Sequence, residues 1–184
     1  MLIGFTEIIY LTITVAVVGY IFMGLLPRIK LAQFHKGFDW NSFLFACLVS
    51  APGIVLHELS HKFVAIFYGL QAAFNIWPFG LFLSVFLKAI HSPFILIAPG
   101  YVSIAQGATL PQMTVIAFAG PLINLILWLG SWFILNNTRK LTRKQAIALY
   151  LTKQINMLLF IFNMLPIPPL DGSKVFYGLF KLIF

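Results

Sequence analysis

Two histidines and a glutamate fall within five consecutive positions, His57-Glu58-Leu59-Ser60-His61, inside an otherwise apolar run. Residues four apart on an α-helix differ by about 40° in direction and about 6 Å along the axis. Both imidazoles therefore face the same way and can share one zinc ion at about 2.0–2.1 Å each. Glu58, beside the first histidine, is placed to reach a water at the metal rather than the metal itself. This is the HExxH pattern, in which the glutamate is the general base of a hydrolysis. The competing reading is a helix with two hydrogen-bonded core histidines. It loses weight within lipid, where ionisable groups are expensive and are read by default as functional.

A catalytic zinc takes three protein ligands and keeps a fourth position open. Few candidates exist for the third, because the chain has only four carboxylates: Glu7, Asp39, Glu58 and Asp171. Asp171 follows Pro166, Pro168 and Pro169, which prevent a regular helix and deliver a carboxylate just past an apolar run. An Asp-Gly turn at a membrane surface explains the same residues, and spacing alone leaves the two readings equal. Glu7 and Asp39 flank apolar runs and need no catalytic role. His35 and His91 sit beside basic or turn-forming residues, where surface roles suffice. Cys47, the only cysteine, reads as a small buried hydrophobe.

The elements that must position these groups are apolar. Of 184 residues 61% are hydrophobic and 9% charged, with a mean hydropathy of +0.98. So few charges cannot make a water-facing surface, given about 25% charged residues in a soluble domain. The sequence predicts an all-α polytopic membrane protein, a single domain over 1–184 with about four transmembrane helices near 8–26, 43–68, 114–135 and 146–165. The segment between the second and third helices is apolar but broken by Pro78, Gly80, Pro93, Pro99 and Gly100. It reads as a re-entrant or short β element, with a strand near 94–98 and a fifth span starting near Phe74 as the competitor. The net charge of +8 lies in short connections between apolar runs, which suits lipid headgroups and argues against nucleic acid.

The HELSH stretch, the Gly120-Pro121-Leu122-Ile123-Asn124 element and the distal segment from Asn163 through Leu170-Asp171-Gly172 together resemble the site-2 protease family of intramembrane zinc metalloproteases. The resemblance runs from about residue 43 to 172, in the family's order. It implies one Zn2+ per chain held by His57, His61 and Asp171, with Glu58 activating water. It implies that Asn163 helps to hold substrate or the oxyanion and that Asn124 has a supporting role. The implied substrate is a transmembrane protein cut within or near its span, in a multi-pass protein of the cell membrane. A helical substrate must unwind first, and the irregular segment between the second and third spans offers it an extended edge. Counting Lys and Arg puts the connections at 28–36 and 139–144 in the cytoplasm; the resemblance puts the zinc nearer the cytoplasm and is preferred. The alternatives are a metal or ion transporter, which calls for polar residues along several helices, and a catalytically inactive scaffold of the same family.

Overall fold

A computed structural model describes residues 3–23, 38–92, 100–105 and 107–184. The elements in chain order are α1 (Phe5–Met23), α2 (Trp40–Phe67), β1 (Ala72–Ile76), α3 (Pro78–Ala89), β2 (Gly100–Ile104), α4 (Leu110–Asn137), α5 (Arg143–Asn163) and α6 (Asp171–Ile183). Four of these, α1, α2, α4 and α5, are long and apolar enough to cross a membrane. The protein is thus a multi-pass integral membrane protein with an all-α polytopic fold and a two-stranded sheet between its second and third spans. The expected span limits shift by a few residues, and positions 24–26 of the first lie outside the described residues.

The ends of the helices follow local chemistry. Asp39 accepts from the backbone N–H groups of Asn41 and Ser42 and so caps α2. Thr109 with Gln112 opens α4, and Thr142 with Gln145 opens α5, each as a reciprocal capping box. Gly69, at φ 75°, closes α2: its N–H reaches Ile66 and that of Leu70 reaches Ala65, satisfying two terminal carbonyls. His91, at φ 54°, does the same for α3, with His91 N–H bonded to Lys88 and Ser92 N–H to Leu87.

The broken segment contains a short helix rather than a fifth span. Pro78 sits at the N-terminus of α3, whose missing N–H would be unpaired there anyway. At 12 residues α3 is about 18 Å long, well short of a hydrocarbon core of about 30 Å. Strands β1 and β2 pair with each other. Ala105 N–H donates to Gln71 and Ser103 Oγ to Ala73, so the partners run in opposite directions and the pair is antiparallel. The strand expected near 94–98 lies outside the described residues, as does the basic connection at 28–36.

The chain forms two compact units, and α2 passes from the first to the second between Pro52 and Gly53. In the first, α1 packs on α3, and Lys88 donates to the Ile21 carbonyl in the last turn of α1 at 2.6 Å. Burial lowers the Lys88 pKa. The second unit holds the rest of α2 with α4, α5 and α6, and α4 packs against both α5 and α6. The inward face of α4 is built from small and polar residues, Thr114, Ala117, Gly120 and Asn124, all buried. Small side chains let helices approach closely where apolar burial offers no gain over lipid.

Candidate metal centre

All the groups that come together lie in the second unit. His57 and His61 project from one face of α2, one turn apart, with their rings edge to face at 4.8 Å between centroids. Asp171 is the first residue of α6. The region from Met164 to Leu170 is not helical, as its prolines require, and α6 starts immediately afterwards. The Asp-Gly pair is therefore not a surface turn. Gly172 fits because a Cβ there would come within 2.5 Å of the Leu165 carbonyl. A carboxylate at a helix N-terminus is also favoured by the helix dipole.

Three ligand atoms converge. His57 Nε2 is 3.1 Å from His61 Nε2, and each lies 3.2 Å from Asp171 Oδ2. Tetrahedral ligands at about 2.0–2.1 Å from zinc stand about 3.3–3.4 Å apart, so this near-equilateral triangle has the size a zinc ion needs. The hydrogen bonds on the far side of the rings agree. His57 Nδ1–H donates to Asn124 Oδ1 at 2.6 Å, and His61 Nδ1–H donates to the Ile116 carbonyl at 2.6 Å. Asn124 Nδ2 is committed to the Gly53 carbonyl and Asn156 Oδ1, at 3.0 and 2.9 Å, so the Asn124 oxygen must face His57. In this tautomer both Nε2 lone pairs point at the Asp171 carboxylate. Three electron-rich atoms gathered in a buried site call for a cation between them. The residues present therefore fit zinc.

The surroundings leave room for this arrangement. A Cβ on Gly120 would lie 2.6 Å from His61 Cε1 and 2.7 Å from His57 Cε1. Asn124, one turn on from Gly120, is fully buried. Glu58 is buried and within electrostatic reach of His57, His61, Asp171 and Lys174.

The other residues expected from the sequence are not among these bonded groups. Asn163 is the last residue of α5, half-buried, and its side chain makes no hydrogen bond among the described residues. His91 ends α3, and His35 lies outside the described residues. One residue that sequence reasoning passed over is Asn156. It is fully buried, accepts from Asn124 and donates to the Thr152 carbonyl at 2.8 Å. The available signal was an amide inside the fourth apolar run, seven residues before Asn163 and so on nearly the same helix face.

Fold and site together define a multi-pass membrane protein with a buried His–His–Asp metal site. No family model matches the chain. Two curated relatives do, each named "putative zinc metalloprotease". The chain is 37% identical over 174 residues to MJ0611 of Methanocaldococcus jannaschii, covering 92% of this chain and 82% of that one. It is 28% identical over 148 residues to sll0528 of Synechocystis sp., covering 79% of this chain but only 34% of that longer protein. The chain belongs to this family of zinc metalloproteases, and its cofactor is zinc.

Proposed function

We propose that the protein is an intramembrane endopeptidase of the site-2 protease type, hydrolysing a peptide bond within or near the transmembrane segment of another protein. The observation that carries this reading is the convergence of His57 Nε2, His61 Nε2 and Asp171 Oδ2 within 3.2 Å of one another, two of them on a membrane-spanning helix. A water-dependent site built on a span is suited to substrates that reside in lipid.

His57, His61 and Asp171 hold the zinc, which when bound supplies a Lewis acid for the scissile carbonyl. Glu58 accepts the proton of the attacking water and passes it to the leaving amine, so the bond breaks without a covalent enzyme intermediate. Its burial near three metal-binding groups removes competing solvent from that transfer. Asn163, with a side-chain amide not bonded to any described residue, donates to the developing oxyanion. Asn124 holds His57 in the tautomer that presents Nε2. The substrate must be unwound locally, since the carbonyls of an intact helix are engaged in its own hydrogen bonds.

The test is cleavage of a transmembrane peptide by purified protein in detergent or liposomes, compared with the Glu58→Gln variant. Cleavage that disappears in the variant while zinc stays bound supports the proposal. Zinc flux across liposomes without any cleavage would replace it with a transporter.

A further inference from the structure

The hydrogen bonds behind His57 have a direction, and that direction starts one residue further back than Asn124. Asn124 can aim its oxygen at His57 only while both of its N–H donors are used elsewhere. One goes to the Gly53 carbonyl at 3.0 Å and the other to Asn156 Oδ1 at 2.9 Å. Asn156 in turn can offer its oxygen only because its own Nδ2 donates to the Thr152 carbonyl, four residues back on α5, at 2.8 Å. Backbone carbonyls can only accept, so those of Thr152 and Gly53 together fix the polarity of the series from Asn156 through Asn124 to His57. Both amides are fully buried, where no water competes for these groups. The fit is close: a Cβ on Gly53 would lie 2.6 Å from Asn156 Oδ1, so the α2 backbone approaches the amide through a gap that only glycine leaves.

We infer that Asn156 is a positioning residue for zinc binding: together with the Gly53 carbonyl it orients Asn124, which sets which nitrogen of His57 carries the proton and so keeps Nε2 free for the metal. This rests on the zinc reading of the His57, His61 and Asp171 cluster and extends it to α5. Without the Asn156 oxygen, one buried donor of Asn124 is left with no acceptor. Only the Gly53 carbonyl then holds the Asn124 amide in this orientation, so it turns over more readily, and turned over it presents a donor to His57 Nδ1. The imidazole must answer by moving its proton to Nε2, where it opposes metal ligation. Outer partners of metal-bound histidines of this kind change metal affinity by about 10–100-fold when removed.

The experiment compares zinc affinity, by competition with a chelating indicator, for wild type, Asn156→Val and Asn156→Asp in detergent. Cobalt-substituted spectra and thermal unfolding of the metal-free proteins are recorded alongside. A buried aspartic acid is neutral; its carbonyl can accept from Asn124 and its hydroxyl can donate to Thr152, so it reproduces the polarity. We expect Asn156→Val to weaken zinc about 10–100-fold and to alter the cobalt bands, with Asn156→Asp close to wild type in both. Loss of affinity by Asn156→Asp equal to that of Asn156→Val would overturn the inference. So would wild-type affinity and spectra in a folded Asn156→Val protein whose only change is lower thermal stability, since that is a packing role. If Asn156→Val does not fold, the aspartate variant decides alone, retained affinity supporting the inference and a loss beyond tenfold sinking it. Wild-type protein that binds no zinc overturns the metal reading together with this one. Wild-type protein with one zinc and an unaffected Asn156→Val overturns this one only.

Discussion

The two compact units treat buried polar side chains differently. In the first, the buried serine hydroxyls are satisfied close to home, while Lys88 reaches across to the Ile21 carbonyl. Ser50 Oγ bonds the Ala46 carbonyl at 2.8 Å and Ser84 Oγ the Gly80 carbonyl at 2.6 Å, each four residues back on its own helix. Glu7 accepts from Gly4 N–H, three residues away. In the second, bonds cross long stretches of sequence: His57 to Asn124 spans 67 positions, His61 to Ile116 spans 55, and Asn124 to Asn156 spans 32. A hydroxyl bonded to its own helix is neutralised for life in lipid and orients nothing beyond itself. A side chain bonded across helices transmits orientation, and a series of them holds catalytic groups in place before a metal or substrate arrives. Hydroxyls bonded to their own helix thus mark membrane solubility, and the connected series through His57, Asn124 and Asn156 marks the site.

The largest effects should come from cutting the long-range set at its centre. His57→Ala and Asp171→Ala each leave two ligand atoms, and zinc measured in purified protein should fall from about one per chain to near zero in both. Zinc fully retained by Asp171→Ala would remove α6 from the centre and leave the contrast between the units resting on the histidines alone. Glu58→Gln separates binding from chemistry. It should keep its zinc while peptide cleavage drops by about 10²–10⁴, the usual contribution of a general base. Equal loss of zinc in this variant would make Glu58 a structural member of the cluster.

Gly120→Ala sharpens the comparison by adding one methyl and no charge. The added carbon meets both imidazoles, at 2.6 Å from His61 Cε1 and 2.7 Å from His57 Cε1. Over-packing of this kind costs about 1–3 kcal/mol where the neighbours cannot yield. Here the neighbours are ligands already held by Asn124 and Ile116, so zinc affinity should fall by roughly tenfold or more. Competition titration against a chelator reads this directly. An unchanged affinity would mean that the rings have slack which the hydrogen bonds do not suggest.

How much of this was legible in the sequence follows the same division. The spans were legible because lipid demands long apolar runs. His57, Glu58 and His61 were legible because one helix carries all three, so spacing alone sets their relative directions. Asp171 was ambiguous because 114 positions and three helices intervene, and only packing decides whether it returns to α2. The Asp-Gly pair suggested a turn, whereas Gly172 is required by the approach of the Leu165 carbonyl at the start of α6. Asn156 was missed for a related reason. A lone amide in an apolar run has no internal spacing to betray its partner, and its significance appears only when α4 is laid beside α5. Strands β1 and β2 were only partly foreseen, since proline and glycine mark where helix stops but not what pairs afterwards.

The smallest effect tests the other half of the comparison, and its sign is the informative part. Thr14 is fully buried in α1, yet its hydroxyl has no hydrogen-bond partner among the described residues. It is the exception to the local rule followed by Ser50 and Ser84. A buried hydroxyl without a partner loses its solvation for nothing, at roughly 1–3 kcal/mol. Thr14→Val keeps the branched shape and removes that polar atom, so it should stabilise the protein by about 1 kcal/mol and raise the unfolding temperature in detergent. Ser50→Ala, removing a hydroxyl that is bonded, should be neutral or mildly destabilising by comparison. Neither should change zinc affinity, because neither side chain bonds beyond its own helix. A Thr14→Val variant that lost stability would show that the hydroxyl is engaged after all, and the first unit would then contain polar order of the kind that distinguishes the second.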